Sequence, residues 1–276
     1  MISELHIQTA LREQRTYLKK AYFTTPFKIA DITENKKAAK LTLMLMSSSP
    51  GILNGDDYRI KIEIAQNTHL ELQTQSYQRI FTMQESASQT MEVRLASGAT
   101  FQYVPHPAVP HKASNFTSKN KIFLEENCTL IWGEILTCGR KLNGEVFSFT
   151  KYHNLTQIYL RNKLIIKENL LVQPAAFNVN KLGQMEGFTH QASLIFINEK
   201  VAIEKLITQI SQEFNQENIV FGISLLPVNG FLVRLLGQKG EVLFDCLKNI
   251  AQFLEREHPA EIIKACTPEL PEVYAN

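Results

Sequence analysis

Residues Ser47–Phe81 read SSSPGILNGDDYRIKIEIAQNTHLELQTQSYQRIF. The stretch opens on a Pro50-Gly51 turn and a second turn at Asn54-Gly55-Asp56, then alternates apolar and polar residues through Ile60, Ile62 and Ile64. After a turn at Gln66-Asn67 come Leu70 and Leu72, and directly behind them the polar run Thr74-Gln75-Ser76. A period of two is the mark of strands with one buried face, and Pro-Gly and Asn-Gly pairs supply turn chemistry. The expectation is strand, turn, strand, with polar side chains following closely on buried ones.

The pattern recurs along the chain. Ile62-x-Ile64 with Leu70 is matched by Val93-x-Leu95 with Phe101, and again by Ile122-x-Leu124 with Leu130, at offsets of 31 and then 29 residues. The turns correspond as well: Ala65-Gln66-Asn67, Ala96-Ser97-Gly98 and Glu125-Glu126-Asn127. Paired short strands at such a period predict a mainly β protein whose layers stack, each covering the apolar face of the one before. A β-solenoid and a large β-sandwich both satisfy the pattern.

Outward from the repeats the signals change. Leu5, Ile7 and Leu11 suit either a first strand or a short helix, and Pro26 favours an extended or edge segment over Tyr22–Ile29. Leu41, Leu43 and Leu45 read as a strand. Pro105-His106-Pro107-Ala108-Val109-Pro110-His111 carries three prolines in six residues, which predicts a stiff, extended loop. Asn143-Gly144 predicts a hairpin. Two alternating runs hinge at Arg161-Asn162. Two helices are expected in the C-terminal half, near 199–217 with Asn198 as N-cap, and near 241–257 with a stripe of Val242, Leu243, Cys246, Leu247, Ile250, Phe253 and Leu254. Between them lies a hairpin around Pro227-Val228-Asn229-Gly230, and the last dozen residues read as loosely ordered. The whole chain, 1–276, reads as a single β-rich domain.

Composition narrows the function. With 29 Lys+Arg against 27 Asp+Glu, the net charge asks for neither nucleic acid nor an anionic membrane. Charge is uneven, with eight basic and three acidic residues over 12–40, and an acidic excess from Glu255 to Asn276. The four cysteines, Cys128, Cys138, Cys246 and Cys266, have no zinc-type spacing and read as reduced, partly buried thiols. An N-terminus without an apolar core region and the lack of any apolar run of membrane-spanning length point to a soluble, cytoplasmic protein. No P-loop, H-E-x-x-H or G-x-S-x-G pattern occurs, so the expectation is a protein that is not an enzyme.

Several blocks carry a family resemblance. Ser49-Pro50-Gly51-Ile52-Leu53-Asn54-Gly55-Asp56 resembles the S-P-G-G-L-L-G-G-D signature of the UreD (UreH) urease accessory proteins. Leu72–Ser76 with Arg79-Ile80-Phe81 is similar to that family's T-T-Q-A-A-T-K-V-Y. Glu134-Ile135, Gly139-Arg140 and Gly144–Phe147 resemble its E-I-x-x-x-G-R-x-x-x-G-E-x-F. Gly222–Pro227 with Val233–Gly237 resembles its G-V-S-x-L-x and V-R-x-L-G. The blocks occur in family order. The chain departs at Ile52 and Asn54, which replace glycines, at Gln78-Arg79 in place of Thr-Lys, and at P-H-P-x-V-P-H in place of P-Q-P-x-I-P-F. Phe253 stands where the family has a Trp in its last helix.

The resemblance implies a urease maturation chaperone that binds apo-urease and recruits a UreF-like helical accessory protein and, through it, a UreG-like GTPase. Together they would deliver nickel to the urease active site. No cofactor would stay bound; Ni2+ would pass transiently. Nickel(II) accepts carboxylate, imidazole and water. In the matching motifs, the residues suited to a transient nickel route are Asp56, Glu134 and Glu168, with Thr74, Gln75 and Ser76 along it and Arg140 setting local geometry. Each has an ordinary alternative. Asp56 would cap its turn, Thr74–Ser76 would form a polar ladder, Glu134 and Arg140 would pair in the interior, and Glu168 would be a solvated charge or ion pair. His106 and His111 would either assist nickel or sit exposed on a stiff loop. A β-solenoid polysaccharide enzyme would use Asp56-Asp57 or Glu125-Glu126, though both pairs fall in turns. A plain β scaffold is the third reading.

Overall fold

The structure, a computed structural model, describes residues 1–214 and 218–257. Residues 258–276, which hold most of the expected acidic stretch, Cys266 and the last dozen residues expected to be loosely ordered, lie outside the described residues.

The chain begins with strands β1 (Ile2–Arg12) and β2 (Arg15–Phe23), joined by a tight turn at Glu13-Gln14 where both residues have positive φ. The first segment is thus a strand and no helix. After β3 (Phe27–Asp31) and β4 (Lys40–Ser47) the repeats begin: β5 (Asp57–Ile64) with β6 (His69–Thr74), then the short β7 (Gln78–Ile80). The next layer is β8 (Ala87–Leu95) with β9 (Thr100–Tyr103) and the short β10 (Ala108–Pro110). A third layer is β11 (Asn115–Leu124) with β12 (Thr129–Thr137). There follow β13 (Lys151–Leu160), β14 (Lys163–Val172), β15 (His190–Asn198), helix α1 (Ile203–Glu213), β16 (Val220–Leu225), β17 (Gly230–Gly237) and helix α2 (Gly240–Glu257).

Two sheets wind around one core. The first runs β14-β13-β11-β8-β5-β1-β2, the second β16-β17-β15-β12-β9-β6-β4-β3. The central strands of both are parallel, and their register reproduces the repeat read from the sequence. Ile62 pairs with Val93 and Val93 with Ile122; Leu70 pairs with Phe101 and Phe101 with Leu130. The coil is longer than three layers, since Ile7 stands beside Ile62 and Ile158 beside Ile122. Ile7, Ile62, Val93, Ile122 and Ile158 form one stacked column with no solvent exposure. Burial of each such side chain is worth about 1.5–3 kcal/mol. At the corner after each first-sheet strand, Asn67, Gly98 and Asn127 adopt the left-handed conformation at equivalent positions.

A narrow third face closes the coil. Ile52 bridges Ile80, and β10 pairs with β7 and with Leu136 of β12. The proline-rich loop is therefore a three-residue strand between two neighbours, tolerated because its prolines need no N–H partner. The Pro50-Gly51 turn packs so closely on β7 that a Cβ at Gly51 would lie 2.3 Å from the Arg79 carbonyl oxygen.

The two helices cover the outside of the second sheet. Leu243, Cys246, Leu247, Ile250 and Leu254 of α2, with Ile203, Leu206 and Ile210 of α1, pack on Ile131, Ile135, Leu194 and Val233. Val242, expected in the stripe, is 38% exposed. The first helix starts four residues later than the capping signal predicts, with Ala202 as N-cap. Asn198 instead ends β15, where its Nδ2 donates to Thr129 Oγ1 and its Oδ1 accepts from the Lys200 N–H. Around Asn143-Gly144 there is no hairpin. A 3-10 turn at Lys141–Asn143 ends on a left-handed Gly144, and the flanking segment turns inward to bury Phe147 and Phe149. Arg161-Asn162 does form a tight turn, with positive φ at both residues, between the antiparallel β13 and β14. No helix among the described residues is long and apolar enough to cross a membrane.

Candidate functional site

Parallel register has a chemical consequence. Side chains that point inward at one level of the first sheet stack in a file along the coil axis. One such file is Ser3, Tyr58, Gln89, Ser118 and Asn154, paired in that order across β1, β5, β8, β11 and β13. All five are polar. The next file is apolar at Leu5, Ile60 and Met91, then turns polar at Asn120 and Thr156. One level further along lies the apolar column headed by Ile7.

Opposite these files the second sheet presents Thr74, Tyr103, Trp132 and Glu134. Between the sheets lies a cavity of about 160 Å³, walled by Tyr58, Gln89, Ser118, Asn154, Thr74 and Glu134 among others. Apolar side chains such as Ile60, Met91 and Phe116 complete the wall, and a hollow of that size has room for several waters beside its polar groups.

Glu134 is the carboxyl group of this cavity. Trp132 Nε1 donates to its Oε1 at 2.8 Å, and Thr156 Oγ1 donates to the same oxygen. Asn120 Nδ2 donates to Asn154 Oδ1 at 3.0 Å and to Thr156 Oγ1 at 2.9 Å. Burial is the largest influence on Glu134 and raises its pKa above the usual carboxyl range, against the lowering effect of hydrogen bonds from Thr156, Trp132 and Asn154. Tyr103 and Tyr152 are pushed up too, by burial first and the Glu134 charge second.

At the mouth, Thr74 is half-buried while Gln75 and Ser76 are exposed on the rim. The hydroxyl of Thr74 accepts the His106 N–H at 2.9 Å and shares a proton with His106 Nδ1 at 2.9 Å. Asp56 is buried and does cap its turn, accepting the Leu53 N–H at 2.9 Å. It also lies 3.7 Å from the Met1 ammonium. Tyr58 carries the link into the cavity: burial, and then the Asp56 charge, push its phenol up to about 12.

The remaining predicted residues stand elsewhere. Arg140 forms no pair with Glu134; its guanidinium forks onto Glu145, with Nε to Oε2 at 2.9 Å, on the exposed side of the third face. Glu145, hydrogen-bonded first of all by Arg140, is lowered to about 2. Glu168 of β14 is held by Arg234 of β17 at 2.8 Å, an ion pair that bridges the two sheets. His111 is buried against Phe81, with ring centroids 4.7 Å apart, and shares no site with His106. Among the described residues, no cluster of three or more His, Cys, Asp or Glu side chains suits a closed metal site. Cys128, Cys138 and Cys246 are free and buried.

Sequence reasoning had passed over Gln89, Ser118, Asn120, Asn154 and Thr156. Their signal was available in parity. In Ser118-x-Asn120-x-Ile122-x-Leu124 and Asn154-x-Thr156-x-Ile158 the polar residues occupy the same alternate positions as the core residues that follow.

A parallel coil with a cavity of mixed lining between its two sheets, and helices on one flank, is the class of protein defined here. The family described as UreD urease accessory protein matches residues 2–269. The Urease accessory protein UreD of Flavobacterium johnsoniae is 48% identical over 276 residues, covering 99% of this chain and 100% of its own. The Urease accessory protein UreD of Acetivibrio thermocellus is 37% identical over 256 residues, covering 91% and 97%. That of Actinobacillus pleuropneumoniae is 34% identical over 266 residues, covering 93% and 98%. The chain belongs to the UreD family of urease accessory proteins.

Proposed function

We propose that this protein is a cytoplasmic urease maturation chaperone that docks on apo-urease and passes nickel(II) along its interior. A UreF-like helical partner and a UreG-like GTPase would act upstream, so that this chain carries no nucleotide chemistry of its own. The observation that carries the reading is the polar file Tyr58-Gln89-Ser118-Asn154, facing Thr74 and Glu134 across one cavity.

The arrangement suits cargo better than a resident ion. A hydrated nickel ion keeps its waters and exchanges hydrogen bonds with amides and hydroxyls along the wall, while Glu134 supplies charge attraction. Because burial raises its pKa, Glu134 holds its proton to higher pH than an ordinary carboxyl group, and an entering cation displaces that proton. Asp56, whose charge acts on Tyr58 of the cavity wall, is a second attractor in this reading. Arg140 and Glu168 are held in their own ion pairs, so their roles are structural in this reading.

The test is co-expression of urease and its accessory proteins with and without this chain, reading urease activity and bound nickel. Loss of both without the chain supports the proposal. Full activation and full nickel content in its absence overturn it.

A further inference from the structure

Two hollows meet at one imidazole. Besides the interior cavity, a surface groove of about 450 Å³ runs beneath α2, and Thr74 and His106 stand in the walls of both. The groove lies on the outer face of the second sheet, where Glu71, Gln73 and Gln102 line it from β6 and β9, and Phe244, Lys248 and Gln252 from α2.

The groove has a polar floor with capacity to spare. Gln102 is 6% exposed, and its Oε1 has no hydrogen-bond partner among the described residues. A buried acceptor left this way calls for a water or a hydrated ion. Beside it, Glu71 accepts from Gln73 Nε2 at 2.7 Å and pairs with Lys40 at 2.9 Å.

The backbone of His106 is pinned more firmly than its ring. Pro105 and Pro107 flank it, the Pro107 carbonyl accepts the Gln78 N–H at 3.0 Å, and the His106 N–H is bound by Thr74. Among the described residues the ring has one hydrogen bond, to the Thr74 hydroxyl, stacks on Phe244 at 4.3 Å and stands 6.0 Å from the Tyr77 ring. Burial, and then the Lys248 ammonium, lower its pKa, so the imidazole is neutral at neutral pH and presents no charge to a cation.

We propose that His106 is a side gate: its ring closes a lateral opening between the groove and the interior cavity, through which a hydrated divalent cation passes. The identity of the cargo rests on the function proposed above; the opening does not.

The gate is tested in the full chain carrying Ser118→Cys, a position inside the cavity. The rate at which a cationic methanethiosulfonate reagent labels that cysteine is read by peptide mass spectrometry. His106→Ala raises the rate at least tenfold, and adding Gln252→Trp at the groove returns it to the parent value. His106→Phe, which keeps the stacking and fills the opening, leaves the rate at the parent value set by entry through the mouth. A rate unchanged by His106→Ala, or a gain that survives Gln252→Trp, overturns the gate. Nickel content of co-expressed urease then separates the two proposals. If removing the chain abolishes loading while His106→Ala and His106→Phe leave it unchanged, the cation crossing fails and the chaperone reading stands. If removing the chain leaves loading intact, the chaperone reading fails whatever the labelling rates.

Discussion

Thr156 and Glu134 belong to opposite sheets, and the Thr156 hydroxyl donates to the Glu134 carboxylate across the interior. Together with the Trp132 indole N–H, it gives one oxygen two donors. Removing the acceptor leaves both unsatisfied, at a cost of about 1–3 kcal/mol for each buried group. Glu134→Ala is expected to lower the melting temperature by several degrees. Glu134→Gln keeps an oxygen there and melts close to the parent, yet urease matured with it carries less nickel. Thermal unfolding with nickel analysis separates the two effects.

The polar file is predicted to matter for transfer and little for stability. Ser118→Val should leave the melting temperature nearly unchanged, since the only hydrogen bond given up is the long one to Asn120 at 3.5 Å. Nickel loading of co-expressed urease should fall at least twofold. Unchanged loading would remove Ser118 from the path.

At the coil corners, Gly98→Ala is expected to destabilise by about 1–3 kcal/mol in denaturant titration. Gly98 has φ of +70°, and a Cβ there would stand 2.2 Å from Asn67 Oδ1. Asn127→Gly, at the equivalent corner with φ of 57°, relieves the same conformation and should be near neutral.

His69 gives the acid limb of stability. Full burial, and then the Lys40 charge, depress its pKa to about 3, and its Nε2 has no hydrogen-bond partner. The unfolded chain takes up a proton near the ordinary value of about 6.5, so stability is complete above that pH and declines as pH falls toward 3. One such group contributes a slope of up to about 1.4 kcal/mol per pH unit. His69→Phe should stay near the parent at pH 7.5 and lose less stability by pH 5, as melting curves at the two pH values will show.

The core of the fold was legible because the parallel pairing writes its period directly into the chain. Ile62, Val93 and Ile122 recur at the offsets by which they stack. What escaped was set by tertiary context. The β1–β2 turn is made by Glu13-Gln14, residues with no turn signature, although both take positive φ. Asn143-Gly144 carries a strong hairpin signature, yet burial of Phe147 and Phe149 draws the following segment inward instead. Of the residues that line the cavity, Thr74 and Glu134 stand out in the sequence through the family resemblance; Gln89, Ser118 and Asn154 do not, because their place in its wall depends on which strands become neighbours.

Neighbouring strands in a sheet are about 4.8 Å apart, so the file from Ser3 to Asn154 marks out about 19 Å in four equal steps. For an ion passing along it, as proposed above, equal spacing of weak donors and acceptors would make a rippled energy profile with no deep well. Such a profile would favour throughput over retention, because each step would exchange one hydrogen bond for the next. The backbone would set the rhythm, and the residue at each step would adjust the height of one ripple.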